Sequence, residues 1–488
     1  MRPIRTAILL VLAVCASACG PSGNPASPRA PRHVYPHGLL GSQCGAGEAA
    51  GAPGVGDTYF PTYGNGGYDV QHYDLHIRYA PRRNHLRGTA TIQANATQDL
   101  TCFNLDLVGF EVHDLTVDGQ PATFSRSKHE LKITPETPLG SGDAFEIVMD
   151  YSGTPHVFDL PGTNDRAGFI RTADGAIVAG EPEVAAGWFP VNDHPVDRAT
   201  YTLRVTVPVG YDVIANGLLG PVRTTPTWTT HTWEANDPMA SYLATIGVGD
   251  WEFRTRETDT GVPVIDAVDP DMVRASRRAL RREPEILSFL ESQFGPYPFE
   301  AAGAIVTDSR KLGFALETQT RPIYPPHAFP GPGEIYLVHE LAHQWFGDLV
   351  SVERWQHIWL NEGFATYAEW LWNEHEGSGT TQQTFQARFR DIPRRSAFWE
   401  VTIGEPGVKH MFDAAVYVRG AMTLQALRNQ IGDADFFDVL HRWVQDHAFA
   451  TGTTDGFIAL AEQVSGQQLD GLFDEWLFQP NKPPASSV

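Results

Sequence analysis

The chain has 488 residues, of which 42% are hydrophobic, 11% aromatic and 19% charged. That much apolar material supports two or three cores and excludes a disordered chain. Asp plus Glu number 58 against 36 Lys plus Arg, a formal charge of −22. A field of that sign repels phosphate, so nucleic acid and anionic membrane surfaces are poor partners. Four Cys in this length exclude a disulfide scaffold.

Arg2 and Arg5 precede the apolar run Ala7 to Val14, which is too short to span a bilayer. Ala16-Ser17-Ala18-Cys19 then suits signal processing, so residues 1–18 read as a signal peptide. Two readings of the cleavage stand. Cleavage after Ala18 gives a secreted protein. Lipoprotein processing makes Cys19 a lipidated first residue, and the segment resembles a bacterial lipobox with Ala16 where Leu is commoner. Either way an extracytoplasmic protein is expected, with membrane attachment only through a lipid at Cys19. Residues 19–56 are rich in Gly, Pro, Ala and Ser and read as a flexible tether. Cys44 and Cys102 remain. In an oxidising compartment they either pair with each other or stay as two buried thiols.

From 57 to 252 the signals are for strands. Tyr68 to Tyr79 alternates, and β-branched and aromatic runs recur between Gly, Pro and Asp turns. After Trp251 the texture changes. Asp269 to Phe294 reads as one helix, with Gly295 beyond its end. Two strand-like runs follow, AAGAIVTD and LGFALETQT. From Glu334 to about Leu477 the chain is mostly helical.

His339-Glu340-Leu341-Ala342-His343 lies in a helical stretch closed by Gly347. A step of four residues places both His on one helix face, one turn apart, where two imidazoles reach one Zn²⁺. Glu340 lies beside them, able to hold the metal's water. Trp359-Leu360-Asn361-Glu362-Gly363 opens a second helix, and Glu362 follows His343 by nineteen residues. A carboxylate on a neighbouring helix supplies a third ligand and leaves the fourth position open, which is the catalytic arrangement. Thr366 and Glu369 share the helix face of Glu362 and are candidates to support the ligands. Asp348, just past the zinc helix, reads as a turn residue.

HELAHQWFGD followed by WLNEGFATYAEW resembles the gluzincin aminopeptidases of the aminopeptidase N and leukotriene hydrolase type. The family's three zinc ligands fall on His339, His343 and Glu362. Its G-x-M-E-N motif, which binds the substrate amine, is matched by Phe314-Ala315-Leu316-Glu317-Thr318. There the Glu is kept and Phe, Leu and Thr replace Gly, Met and Asn. Its Y-x-K-G-A motif is matched by Tyr417-Val418-Arg419-Gly420-Ala421. The segment GEPEVAAGWFPVNDHPVD is similar to the one holding a second amine-binding acid, which selects Glu181, with Glu183 the weaker choice.

The resemblance implies a multi-domain fold: an N-terminal all-β, saddle-like domain over 57–252, then a mostly α, thermolysin-like metallopeptidase domain over 253–488. It implies one Zn²⁺ per chain, Glu340 and Tyr417 as catalytic residues, and Glu317 and Glu181 as the amine-binding pair. Substrates are expected to be peptides with a free N-terminus, and the protein a monomer. The sequence ends 126 residues past Glu362, where many members continue into a helical carboxy-terminal domain. A short form with a more open site is therefore expected. An inactive, peptide-binding descendant would have lost a ligand or Glu340, and none is lost. Nothing in the sequence asks for the lipid substrate of the leukotriene-hydrolase relatives.

Overall fold

A computed structural model describes residues 49–329 and 333–484, all within one compact unit. The leader, Cys19 and Cys44 lie outside the described residues. Cys102 is buried and disulfide-bonded.

The N-terminal part is built from strands. Tyr68–Ala80 is central in an eight-stranded sheet, antiparallel to His85–Ala96 and parallel to Arg198–Pro208. It buries Tyr68 and Val70, then Tyr73, Leu75, Ile77 and Tyr79. The alternation changes phase because the register shifts between Val70 and His72. A bulge inserts one residue and returns the apolar side chains to the core face. A five-stranded sheet runs in the order Asp212–Ala215, Ile246–Gly249, Ala176–Ala179, Arg166–Arg171, Val157–Asp159. The loop leaving Ala176–Ala179 carries Glu181.

A four-stranded sheet opens the second part: Glu252–Glu257, Pro263–Val268, Ala302–Val306 and Ile323–Tyr324. Helices α1 (Val273–Leu280), α2 (Glu283–Phe294), α3 (Glu334–Ala342), α4 (Trp359–His375), α5 (Thr381–Asp391), α6 (Ala414–Ile431), α7 (Asp433–Asp446) and α8 (Thr454–Ser465) follow the first two strands. Trp345, Trp355, Trp359, Trp372 and Trp443 are buried among them, so the Trp-rich helices pack a core.

Three sequence expectations are corrected. Residues 49–56 are not part of a free tether. The Gly51 amide donates to the Cys102 carbonyl at 2.9 Å and the Gly66 amide to the Ala52 carbonyl at 3.0 Å. Composition forecasts disorder here, but Cys102 and Gly66 supply partners for the backbone's hydrogen bonds. The helix over 269–294 is two helices, α1 and α2. Pro284 is the reason: it has no N–H to give and is accommodated in a first turn, so the helix restarts at Glu283. The run LGFALETQT is not a strand; only Leu316 bridges, to Ile323. Its Glu317 carbonyl instead accepts from the Gln344 side chain at 2.9 Å, which takes the chain out of the sheet and into the site.

Candidate active site

α3 brings His339 and His343 together, with ring centroids 4.9 Å apart and planes at 73°. His343 is the helix C-cap, and the chain turns sharply at Gly347, whose φ is +132°. A side chain at that φ is strained, and a Cβ there would come within 3.4 Å of the His343 ring. Glu362 stands in the first turn of α4. Its Oε2 lies 3.3 Å from His339 Nε2 and 3.5 Å from His343 Nε2.

α4 is held close by an approach of backbones. A Cβ on Gly363 would come within 2.9 Å of the Gly420 Cα of α6. Only two glycines let these helices touch, and the contact sets Tyr417 one turn from it, beside the metal triad. The Tyr417 ring lies over the His339 ring, with centroids 5.9 Å apart and planes inclined by 21°. Burial raises the Tyr417 hydroxyl pKa well above its ordinary value, and the charges of Glu362 and Glu181 raise it further. Tyr417 is therefore a neutral proton donor.

The far ring nitrogens are committed. His339 Nδ1 donates to Glu369 Oε1 at 2.7 Å, and His343 Nδ1 donates to the Phe346 carbonyl at 2.9 Å. Both Nε2 atoms therefore face Glu362. Burial alone would lower both imidazoles, yet hydrogen bonds to Glu362 and Glu369 raise His339 well above its ordinary value. The charges of Glu317 and Glu362 likewise bring His343 up to about 9. Burial would raise Glu362, but the His343 charge and the His339 hydrogen bond hold it at about 2. The pocket thus draws positive charge onto three convergent N, N and O donors, which fits a dication.

These residues line a cavity of about 530 Å³, a size that suits a short peptide end. Glu340, Glu317, Glu181 and Tyr417 line it too, as do the half-buried Asp165 and Phe314 and the exposed Tyr336. Burial pushes Glu340 up to about 8, against the pull of His339 and His343. Burial raises both Glu181 and Glu317; the charge of Glu317 raises Glu181 further, while Glu317 is pulled down by His343 and pushed up by Glu362. One Glu181 oxygen has no hydrogen-bond partner among the described residues. Of the two acids weighed in that loop, Glu183 is turned away and accepts the Trp355 indole N–H. Thr366 is buried on α4 with no hydrogen bond to the triad among the described residues. Asp348 is no simple turn residue: it is fully buried, and burial first, then the charge of Glu317, raises its carboxyl.

Sequence reasoning missed the groups that hold Glu317. Tyr242 donates to Glu317 Oε1 at 3.5 Å. Gln344 holds the Glu317 carbonyl and accepts from the Thr320 amide at 2.8 Å. Gln344 was discoverable as the neighbour of His343. Tyr242 is seventy-five residues from Glu317, and no local pattern announces it.

Two imidazoles and a carboxylate around an open cavity, with an acid beside them, define a zinc hydrolase site. Residues 334–476 match the Peptidase family M1 domain and residues 69–243 the Peptidase M1 N-terminal domain. An M1 zinc metallopeptidase from Deinococcus radiodurans superimposes with a TM-score of 0.81 at 33% identity, covering 88% of this chain and 98% of that one. A variant of it bound to a Tyr-Ser-Ala substrate matches equally, covering 88% and 99%. Human glutamyl aminopeptidase is 25% identical over 456 residues, 84% of this chain and 46% of its own. Aminopeptidase M1-C of Oryza sativa subsp. japonica is 28% identical over 398 residues, 73% and 42% respectively. The chain spans about half the length of the curated relatives it matches. It belongs to the M1 family of zinc metallopeptidases, hydrolases acting on peptide bonds.

Proposed function

We propose that the protein is an exported aminopeptidase that removes the first residue of peptides. The observation that carries this is the placement of two carboxylates beyond what the metal needs. Glu181 and Glu317 are 5% and 2% exposed, face the same cavity as the triad, and repel one another. A substrate –NH₃⁺ relieves that repulsion and anchors the peptide by its end. Only the first peptide bond then reaches His339, His343 and Glu362.

His339, His343 and Glu362 would hold Zn²⁺, which would supply Lewis acidity and lower the pKa of water toward neutrality. Glu340 takes the proton of the attacking water and passes it to the leaving amine. The Tyr417 hydroxyl donates to the oxygen that becomes negative as the carbonyl is attacked. Glu369 and the Phe346 carbonyl fix the imidazole orientations. Tyr242 and Gln344 keep Glu317 in place.

The test compares free-amine and N-acetylated peptides with the purified chain and its variants. Glu340→Gln should lower kcat by about 10²–10⁴-fold. Glu317→Gln should narrow the preference for free amines. Equal cleavage of blocked peptides by the unaltered chain contradicts the exopeptidase reading, and full activity in the Glu340 variant contradicts the mechanism. The basic, apolar and small-residue pattern of residues 1–18 supports export. Cell fractionation with fatty-acid labelling of Cys19 distinguishes a lipoprotein from a secreted form, and a cytosolic, uncleaved chain would refute both.

A further inference from the structure

Outside the active-site cavity, a second group of metal-type donors converges in the β part. Asp106, His129 and Glu130 each offer a ligand atom, and these atoms lie within 4.8 Å of one another. None of the three lines the cavity. Asp106 is fully buried at the end of the strand Phe103–Asp106. Its Oδ2 accepts from the Gly64 amide, the Asn65 side chain and the Asp193 amide at 3.2, 3.0 and 3.0 Å. Its Oδ1 has no hydrogen-bond partner among the described residues, nor has either oxygen of Glu130. His129 Nε2 lies 3.8 Å from that Oδ1 and 4.0 Å from Glu130 Oε1, and it donates its proton to the Thr62 carbonyl at 2.8 Å, a proton that a cation would replace.

Three carboxylate oxygens with no donor, at the margin of a protein core, are unfavourable as bare charges and are met either by a proton or by a cation. Tyr63 stacks on the His129 ring at 4.1 Å and fixes its plane.

We infer that Asp106, His129, Glu130 and the Thr62 carbonyl form a second, structural site for a first-row divalent cation of the Zn²⁺ or Mn²⁺ type. One imidazole among oxygens suits such an ion, whereas Ca²⁺ and Mg²⁺ take all-oxygen shells. Asp106 is pinned. His129 and Glu130 side chains are 12% and 13% exposed and have room to close on the ion. The ion fastens the segment around Thr62 to the sheet. That segment also reaches the catalytic part: Asp57 accepts from the Trp355 amide at 2.8 Å, and the Tyr59 hydroxyl from the Gly407 amide at 2.6 Å. The role is therefore to hold the two parts together, not to act on substrate.

The competing account is a protonated His129 that neutralises the two acids without metal. The test uses the full chain carrying His339→Ala and His343→Ala, which removes the catalytic zinc site. After chelator treatment it is equilibrated with Zn²⁺ or Mn²⁺ and filtered, and the bound metal is counted. One equivalent is expected, with Tm raised by about 2 °C or more. Adding Glu130→Gln should weaken binding at least about tenfold and remove the Tm shift. Should that variant fold poorly, His129→Gln with Co²⁺ as the probe reads the same site, through loss of the imidazole-ligated visible bands. A double variant that retains no stoichiometric metal overturns the inference. So does metal binding that is indifferent to both Glu130→Gln and His129→Gln.

Discussion

Tyr417 shows how much a side chain's task depends on what surrounds it. On its helix it is one aromatic among many. Beside His339, burial and the nearby carboxylates keep its proton in place at any physiological pH. Tyr417→Phe should lower kcat by about 10²–10³-fold, as expected for loss of one oxyanion donor, while zinc content stays unchanged. A fall in zinc content alongside kcat would assign the ring to metal support instead. Glu130 carries a different prediction. Burial raises its carboxyl to about 7, from an ordinary value of 4.5. Between those values the folded chain binds more protons than the unfolded one, so stability falls as pH rises through that window. In metal-stripped protein, Tm should drop from pH 5 to pH 8 more steeply than in Glu130→Gln, and added cation should flatten the difference. Parallel pH profiles for the two proteins would show that Glu130 ionises without cost.

At the scale of elements, the meeting of α4 and α6 is the decisive contact. The two glycines lie in the two motifs that bring Glu362 and Tyr417, and their closeness is a matter of backbone, not of side-chain packing. Gly363→Ala should destabilise the protein by about 1–3 kcal/mol through overpacking, and should lower activity by displacing both functional residues. Thermal unfolding and turnover together check this; an unchanged Tm would mean that the helices have slack. The helices themselves were legible in the sequence, because a 3.6-residue period and end signals are local. The break between α1 and α2 was legible too, had Pro284 been weighed above the apolar period. The course of 313–320 was not legible. Its residues carry strand propensity, but the partner that draws the Glu317 carbonyl out of the sheet is the distant Gln344.

In the whole molecule, the β part is a wall of the site and not an appendage. It contributes Glu181 and Asp165 to the cavity. It is held there by Arg198, which donates to Leu349 O at 3.0 Å, Ser351 Oγ at 2.9 Å and Asp348 O, while a bond to Pro238 O at 3.0 Å fixes the guanidinium within the β part. Asn216 adds a bond to Gln319 O at 2.7 Å, and Gly217 one to Thr320 Oγ1 at 2.8 Å. Arg198→Ala leaves several carbonyls without a donor and should cost about 2–4 kcal/mol. It should also raise KM for free-amine peptides more than it lowers kcat, because Glu181 and Glu317 lose their common frame. A change confined to kcat would place the effect on the zinc helix instead.

His339, His343 and Glu340 could be read from the sequence because helix geometry converts a spacing of four into a shared face before any tertiary contact forms, and Glu362 because its motif resembles a known one. The order of strands before helices was determined equally early by hydrophobic period. What only the tertiary structure decided is which acids meet the metal's cavity. Glu181 and Glu183 are two residues apart in one loop, yet one faces the site and the other the Trp355 indole. Glu369 and Thr366 share a helix face, yet only Glu369 has the length to reach His339 Nδ1. The donors around Asp106 come from three separate stretches of chain and carry no motif. Such choices depend on where burial leaves a charge without a partner, and that becomes a property of a residue only after the chain has closed around it.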